Sequence, residues 1–358
     1  MATIGILTGG GDCAGLNAVI AGIVKAGLPL GHTFIGFDKG WEGVLDPVMY
    51  RPLTAESVRG ISHIGGTILH TTNKGRFGAK VGAGGVARIP DEILDMAARN
   101  LQSLGVTALI VLGGDGTLTG ALQLSERAGI QLVGVPKTID NDLMSTDQTF
   151  GFSTAVQVAV EAMDKIHTTA TSHQRTILVE CMGRHAGWIA LFAGLAGNAN
   201  AILLPEFPFA LEDLVAHLKH RQDDGLPSIV CVAEGITVPG ISRSGENLGA
   251  SEHSLAGVAH QLQHAIEQYA PETFELRTVV LGHTQRGGSP NAEDRILAKR
   301  YGVAALEAVH AGESGVMVSL RDSNLTLVKI ADAVSGLKLV TATTPELQTS
   351  KQMGIFIN

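Results

Sequence analysis

Short, continuous apolar runs alternate along this chain with longer stretches whose apolar residues recur at helical spacing. The runs at 4–7, 34–37, 108–112, 132–135, 176–180, 202–204, 229–232 and 278–281 predict strands. The stretches at 17–26, 91–104, 118–128, 154–170, 211–222, 255–269 and 292–310 predict helices between them. Strands that are apolar throughout, separated by helices, are those of parallel sheets covered on both faces. The fold class is α/β. Ligands of such sheets lie beyond the carboxyl ends of the strands, where the polar, glycine-rich segments fall.

Residues 186–205 carry no charge over about the length of a membrane span. Gly194, Gly197, Asn198, Asn200 and a terminal Pro205 interrupt them, so a buried helix followed by a buried strand is the expectation. Residues 235–254 read as a polar surface excursion, and those after Leu337 as a weakly patterned tail on the body.

Composition narrows the function. Of 358 residues 45% are hydrophobic and 17% charged, enough to bury a core, and 45 glycines against 3 tyrosines and 2 tryptophans imply many tight loops. A formal net charge of −8 argues against nucleic-acid binding, so an anionic ligand needs a focused cluster of Arg and Lys. Three widely spaced cysteines, Cys13, Cys181 and Cys231, read as buried thiols of a reducing compartment. The chain opens directly on a strand, without a secretory leader pattern. A cytoplasmic protein without a membrane span is the expectation.

Three segments carry chemistry. TGGGDCAGLNAVI, residues 8–20, follows the first strand; its glycines admit a close ligand, and the helix start offers unpaired N–H groups to an anion. LGGDGTLTGA, residues 112–121, repeats the arrangement. There Gly113, Gly114 and Gly116 clear space for phosphates, and Asp115 can hold Mg²⁺ between two of them. VPKTIDND, residues 135–142, ends a strand on a lysine, a threonine and two carboxylates. Beside a phosphate donor, Asp140 can accept the proton of an attacking sugar hydroxyl, Asp142 can orient it or meet the metal, Thr138 can bond the acceptor, and Lys137 can meet phosphate oxygens. Two neighbouring carboxylates call for cations nearby. Arg175, Arg184, Arg277 and Arg286, with His283 and the glycines around them, supply candidates, and guanidinium groups suit phosphate bidentately.

GGGDCAGLN, GGDGT, PKTIDND, SHQR, MGRHAGW and LGHTQRGGSP follow one another over roughly residues 1–310, and in this the chain resembles the 6-phosphofructokinases of the bacterial type. The resemblance implies two Rossmann-like domains with the active site in the cleft between them. Residues 1–145 plus about 283–310 would take the phosphoryl donor, about 146–282 would take fructose 6-phosphate, and about 311–358 would be an extension packing on the body. It implies donor phosphates at Gly10, Gly11, Gly113, Gly114, Gly116 and Thr117, magnesium at Asp115, and Asp140 as base for the sugar 1-hydroxyl, with Thr138 and Asp142 assisting. Met182, Gly183, Arg184, Glu234, His283 and Arg286 match the sugar-phosphate site. Arg175 and Arg277 match arginines that reach it from a neighbouring subunit, which implies a homo-oligomer, dimer or tetramer. Arg184 and Arg175 are the candidates for offsetting transition-state charge.

The chain also departs from the pattern. Ala21 stands where the allosteric form has an effector-binding arginine. At the adenine site it offers Asn73 and Lys74, or Arg76–Phe77 after a short insertion. Gly116, where the pyrophosphate-using branch carries an aspartate, leaves room for a nucleotide and favours ATP. Lys137 belongs to the pyrophosphate branch, so pyrophosphate, and also ADP, stay open as donors. A non-catalytic sugar-phosphate or nucleotide sensor is the reading from another class; it would be marked by a lost base or metal aspartate, and neither is lost.

Overall fold

The computed structural model describes residues 1–72, 75–77, 81–82, 85–86, 88–241 and 257–358. In chain order its elements are β1 (Thr3–Thr8), α1 (Leu16–Gly27), β2 (Thr33–Phe37), β3 (Tyr50–Leu53), β4 (Val81–Gly82), β5 (Gly85–Val86), α2 (Asp91–Ser103), β6 (Ala108–Gly113), α3 (Asp115–Ala128), β7 (Gln131–Pro136) and α4 (Phe152–His173). There follow β8 (Thr176–Cys181), α5 (Trp188–Ala196), β9 (Ala201–Leu203), α6 (Leu211–Asp223), β10 (Ser228–Ala233), α7 (Val258–Tyr269) and β11 (Leu276–Val280). The chain ends with α8 (Ala292–His310), β12 (Val316–Arg321), β13 (Asn324–Lys329), α9 (Ile330–Ala333), α10 (Pro345–Gln352) and β14 (Phe356–Ile357).

Two units divide these elements. The first holds Met1–Ile139, Leu143–Ser153 and Arg286–Leu337; the second holds Asp140–Asp142, Thr154–Gln285 and Lys338–Asn358.

In the first unit seven strands run in the order β13-β12-β7-β6-β1-β2-β3, parallel except for the antiparallel edge strands β3 and β13. β1, β6 and β7 are buried along almost their whole length, because helices cover both faces. α1 and α8 pack on one another, and α2, α3 and β6 supply Leu94, Leu101, Leu109 and Leu118 to a core that also holds Trp41 and Phe77. Because β1 lies between β2 and β6, the strand order reverses at β1, and the loops after β1 and β6 open side by side.

In the second unit five strands run in the order β11-β8-β10-β9-β14, all parallel. α5 is nine residues long, and among the described residues no helix is long and apolar enough to cross a membrane. The uncharged run at 186–205 is a buried helix followed by β9, as its glycines and proline imply.

Besides β3, which the apolar pattern does not predict, two stretches of the C-terminal part differ from the sequence expectation. Residues 316–329 form a hairpin that extends the first sheet through β12 on β7. The last residues are built in as well: β14 adds a parallel strand to the free edge of β9. The predicted surface excursion lies outside the described residues from 242 onward, as do the first residues of the helix expected from 255.

Candidate functional site

In the first unit the carboxyl ends of β1, β6 and β7 are stitched together by backbone bonds. Gly9 N–H donates to Leu112 C=O at 2.9 Å, and Lys137 N–H to Gly113 C=O at 3.0 Å. This brings the first glycine loop, the GGDGT loop and the start of PKTIDND to one end of one sheet. Thr117, 8% exposed, is wedged between the two glycine loops. A Cβ at Gly113 would sit 2.3 Å from Thr117 Cβ, and one at Gly9 would sit 2.6 Å from its Cγ2. The glycines therefore serve packing as well as close ligand approach. Gly114 lies against the Lys137 carbonyl oxygen at 3.4 Å and Thr138 Cβ at 3.9 Å, both measured from the Cβ it lacks.

Asp115 opens α3 and Gly116 follows it, both half-exposed. A carboxylate in a first turn is favoured by the helix dipole, and the N–H groups there have no partner within the helix. Gly10, in the left-handed region at φ 77°, turns the first loop. Two buried cations close on that loop: the Lys137 ammonium donates to the Gly11 carbonyl, and Arg286 Nη1 to the Asp12 carbonyl at 3.3 Å. A Cβ at Gly11 would lie 2.7 Å from Arg286 Nη1, so a side chain there would make the guanidinium shift. Burial pushes the Cys13 thiol up to about 12, against the pull of Lys137, so this thiol stays protonated and inert.

Of the two pairs aligned with the adenine site, Asn73 and Lys74 lie outside the described residues. Arg76 is held by Glu42, whose Oε2 accepts from Nε and Nη2 at 3.1 Å each. Phe77 stacks on Trp41 with centroids 4.3 Å apart, and both rings are buried.

In the second unit the loops after β8, β10 and β11 meet at the carboxyl ends of neighbouring strands. Glu234, 6% exposed, follows β10 and reaches the loop after β8: its Oε1 accepts from Gly183 N–H at 3.1 Å and Arg184 N–H at 2.8 Å. Gly183 has φ 145° and Arg184 φ 53°, so two successive left-handed residues shape this turn. Burial raises the Glu234 carboxyl above its ordinary range; the Arg184 N–H pulls it back and the Asp140 charge adds to the push. Met182 is fixed by its N–H to Gln285 Oε1 at 2.8 Å. His283 stands exposed in the turn before Gln285. Asp140, Asn141 and Asp142 are each less than a tenth exposed.

Arg175 and Arg277 do not join this cluster. They lie at the amino ends of β8 and β11, the opposite end of the sheet from Met182 and Arg184, so the placement of every polar motif at carboxyl ends is corrected for these two. The physical reason is the register: Arg277 pairs with Ile177 at the start of the parallel β8–β11 ladder. Both guanidiniums are held by one carboxylate, Glu275 Oε1, with Arg175 at 2.6 Å and Arg277 at 2.9 Å. The hydrogen bond from Arg175 holds the Glu275 carboxyl below its ordinary range.

Three residues escaped sequence reasoning. Gln285 sits inside the GHTQRGG motif, between the two residues singled out, and its burial at 1% was the missing information. Glu206 binds Gly187 N–H at 2.8 Å and Val340 N–H at 3.0 Å with the same oxygen. Lys338 lies in the segment expected to be a tail, and nothing local marks it.

Fold and site define an α/β protein with two largely parallel sheets, each gathering glycine turns and charged side chains at the carboxyl ends of adjacent strands, where such sheets take their ligands. Residues 3–309 match the family model described as Phosphofructokinase. A protein from Chloroflexus aurantiacus named ATP-dependent 6-phosphofructokinase is 45% identical over 358 residues, covering 98% of this chain and 96% of its own. One from Streptomyces coelicolor, named pyrophosphate–fructose 6-phosphate 1-phosphotransferase, is 47% identical over 345 residues, covering 94% and 96%. The crystal structure of a pyrophosphate-dependent phosphofructokinase from Nitrosospira multiformis matches with a TM-score of 0.80 at 20% identity, covering 100% of this chain and 89% of that one, a likeness of fold. The chain belongs to the phosphofructokinase family.

Proposed function

We propose that this phosphofructokinase-family protein transfers the γ-phosphoryl group of ATP to the 1-hydroxyl of fructose 6-phosphate, giving fructose 1,6-bisphosphate and ADP. The observation that carries the reading is the contact, within the first unit, of the GGDGT loop with the start of PKTIDND: Gly114 against Lys137 and Thr138. That contact supports a donor site at the start of α3, next to the lysine and threonine of the same motif.

In this reading Asp140 takes the proton of the 1-hydroxyl as its oxygen bonds to the γ-phosphorus. The bond from phosphorus to the β,γ-bridging oxygen breaks, and the electron pair leaves on ADP. Thr138 bonds the acceptor and Asp142 orients the turn. Gly10, Gly11 and Gly113 to Thr117 cradle the donor phosphates, and Lys137 meets their oxygens. Met182, Gly183, Arg184, Glu234, His283 and Arg286 take the sugar phosphate, with Arg184 offsetting charge on the transferring group.

Mg²⁺ fits this donor set. Asp115 is a single half-exposed carboxylate at a helix start, and among the described residues no group of three or more His, Cys, Asp or Glu side chains could hold a metal alone. That suits an ion bound largely by substrate phosphates, with Asp115 as its protein ligand. Bound there, it neutralises phosphate charge.

Arg175 and Arg277, remote from Met182 and Arg184 along their own sheet, serve a sugar phosphate held by another copy, so the working form is a homo-oligomer. Three buried free thiols suit a reducing cytoplasm.

A second reading, pyrophosphate as donor, is favoured by the buried Lys137 ammonium beside the first glycine loop. Gly116 decides for ATP, because a missing carboxylate removes a fixed steric and charge block while a lysine can move aside. Asp140→Asn tests the mechanism: turnover should fall ~10²-fold or more while fructose 6-phosphate still binds, measured by calorimetry beside steady-state rates. Near-normal turnover removes Asp140 from the role.

A further inference from the structure

We infer that Lys338 is a positioning residue for the phosphoryl transfer, holding the Asp140–Asp142 turn in place from the C-terminal segment; the inference rests on the assignment of Asp140 as base.

Lys338 begins the last stretch of the second unit, Lys338–Asn358, which lies beyond the 3–309 region matched by the family model. Every polar group of this residue is used within that unit. Its backbone N–H donates to the Asp142 carbonyl at 2.8 Å, and its ammonium donates to Asn141 Oδ1 at 3.0 Å. Its carbonyl accepts from Trp188 Nε1 at 2.7 Å, and the ammonium lies 5.5 Å from the centroid of the Trp188 ring. The turn that carries both carboxylates is thus clamped by backbone and side chain of one residue. The same residue is tied to the first residue of α5, just past the MGRHAG loop.

The clamp is useful only if its far side is fixed, and it is. β14 pairs with β9, and the Asn358 amide exchanges two hydrogen bonds with the backbone of Leu204, each at 2.8 Å. Val340 N–H is held by Glu206, the carboxylate that also holds Gly187 N–H. The segment stays anchored without the Lys338 side chain.

Asn141 shows why its neighbour matters. It stands between the two aspartates with φ 52°, in the left-handed region that Asn tolerates and most residues avoid. A left-handed residue sets the direction in which the chain carries Asp140 and Asp142, and the ammonium on Asn141 Oδ1 holds it there. A base must sit within a fraction of an ångström of its productive position, and a misplacement of about 1 Å costs on the order of 10²-fold. A cation at this turn also offsets the repulsion of two buried carboxylates. Loss of Lys338 should therefore act on the chemical step more than on sugar-phosphate binding.

The test compares steady-state kinetics and thermal melting of the full chain carrying Lys338→Met, Lys338→Arg, Asn141→Gly and the double variant Lys338→Met/Asn141→Gly. Lys338→Met should lower kcat ~10-fold or more with KM for fructose 6-phosphate changed less than about 3-fold and melting nearly unchanged. Lys338→Arg keeps a donor and should recover most of the loss. Asn141→Gly keeps the left-handed backbone, deletes the acceptor and should lose as much as Lys338→Met; the double variant should be no worse than either, since both remove one interaction. Wild-type kcat in Lys338→Met, additive losses in the double variant, or a loss that tracks melting and is not rescued by arginine would each overturn the inference. An unsubstituted protein that turns over fructose 6-phosphate with neither ATP nor pyrophosphate would overturn the underlying assignment instead, and the inference with it.

Discussion

Arg184 N–H donates to Glu234 Oε1 at 2.8 Å, and this one bond joins the loops after two neighbouring strands of the second sheet. Glu234 holds Gly183 N–H with the same oxygen, so a single buried carboxylate fixes a turn of two left-handed residues. Removing it strands two backbone donors away from water. Glu234→Ala should raise KM for fructose 6-phosphate ~10-fold or more, since a buried bond to a charged group contributes ~1.5–3 kcal/mol. An unchanged KM in steady-state assays takes Glu234 out of substrate positioning.

Gly183 is the conformational half of the same turn. Its φ of 145° is one that side chains avoid, and a Cβ there would stand 2.5 Å from the Ala186 carbonyl oxygen. Gly183→Ala should cost ~2 kcal/mol or more and weaken sugar-phosphate binding along with it. Melting and binding would be read together; a variant that melts with the wild type contradicts the geometry.

Glu206 offers a pH test. Burial raises its carboxyl above the usual range despite N–H bonds from Gly187 and Val340, and among the described residues its Oε2 has no hydrogen-bond partner. A raised carboxylate favours the native state when protonated. Its contribution is full below the unfolded pKa and is lost as pH rises through the higher native value. Gln does not titrate, so Glu206→Gln should melt higher than wild type near pH 7 and lose that advantage on acidification below ~4. A difference independent of pH removes the burial argument.

Much of the fold is legible because parallel strands buried on both faces, such as β6 and β8, read as unbroken apolar runs. β3 is missed because three of its four residues are exposed and one is Pro52. β14 is missed because it exists only where the edge of β9 stands open. The glycine loops and PKTIDND are legible as turns at the carboxyl ends of β1, β6 and β7, because glycines and polar residues directly follow unbroken apolar runs. What could not be read is anything set by long-range register: Arg175 and Arg277 gathered on Glu275, Gln285 on Met182, and Lys338 on Asn141, 197 residues earlier.

In the proposed reading, donor choice turns on Gly116, the second residue of α3. Gly116→Asp should abolish use of ATP before it affects binding of fructose 6-phosphate, because a carboxylate there adds bulk and charge where nucleotide phosphates pass. Unchanged ATP kinetics in that variant undo the steric argument.

The most direct test is a set of initial rates with fructose 6-phosphate and Mg²⁺, comparing ATP, ADP and pyrophosphate in one coupled assay. Turnover with ATP, and little with the other two, is the expected result. Turnover with pyrophosphate in place of ATP would contradict it, and would mean that Lys137, whose ammonium donates to the first glycine loop, outweighs Gly116 on α3.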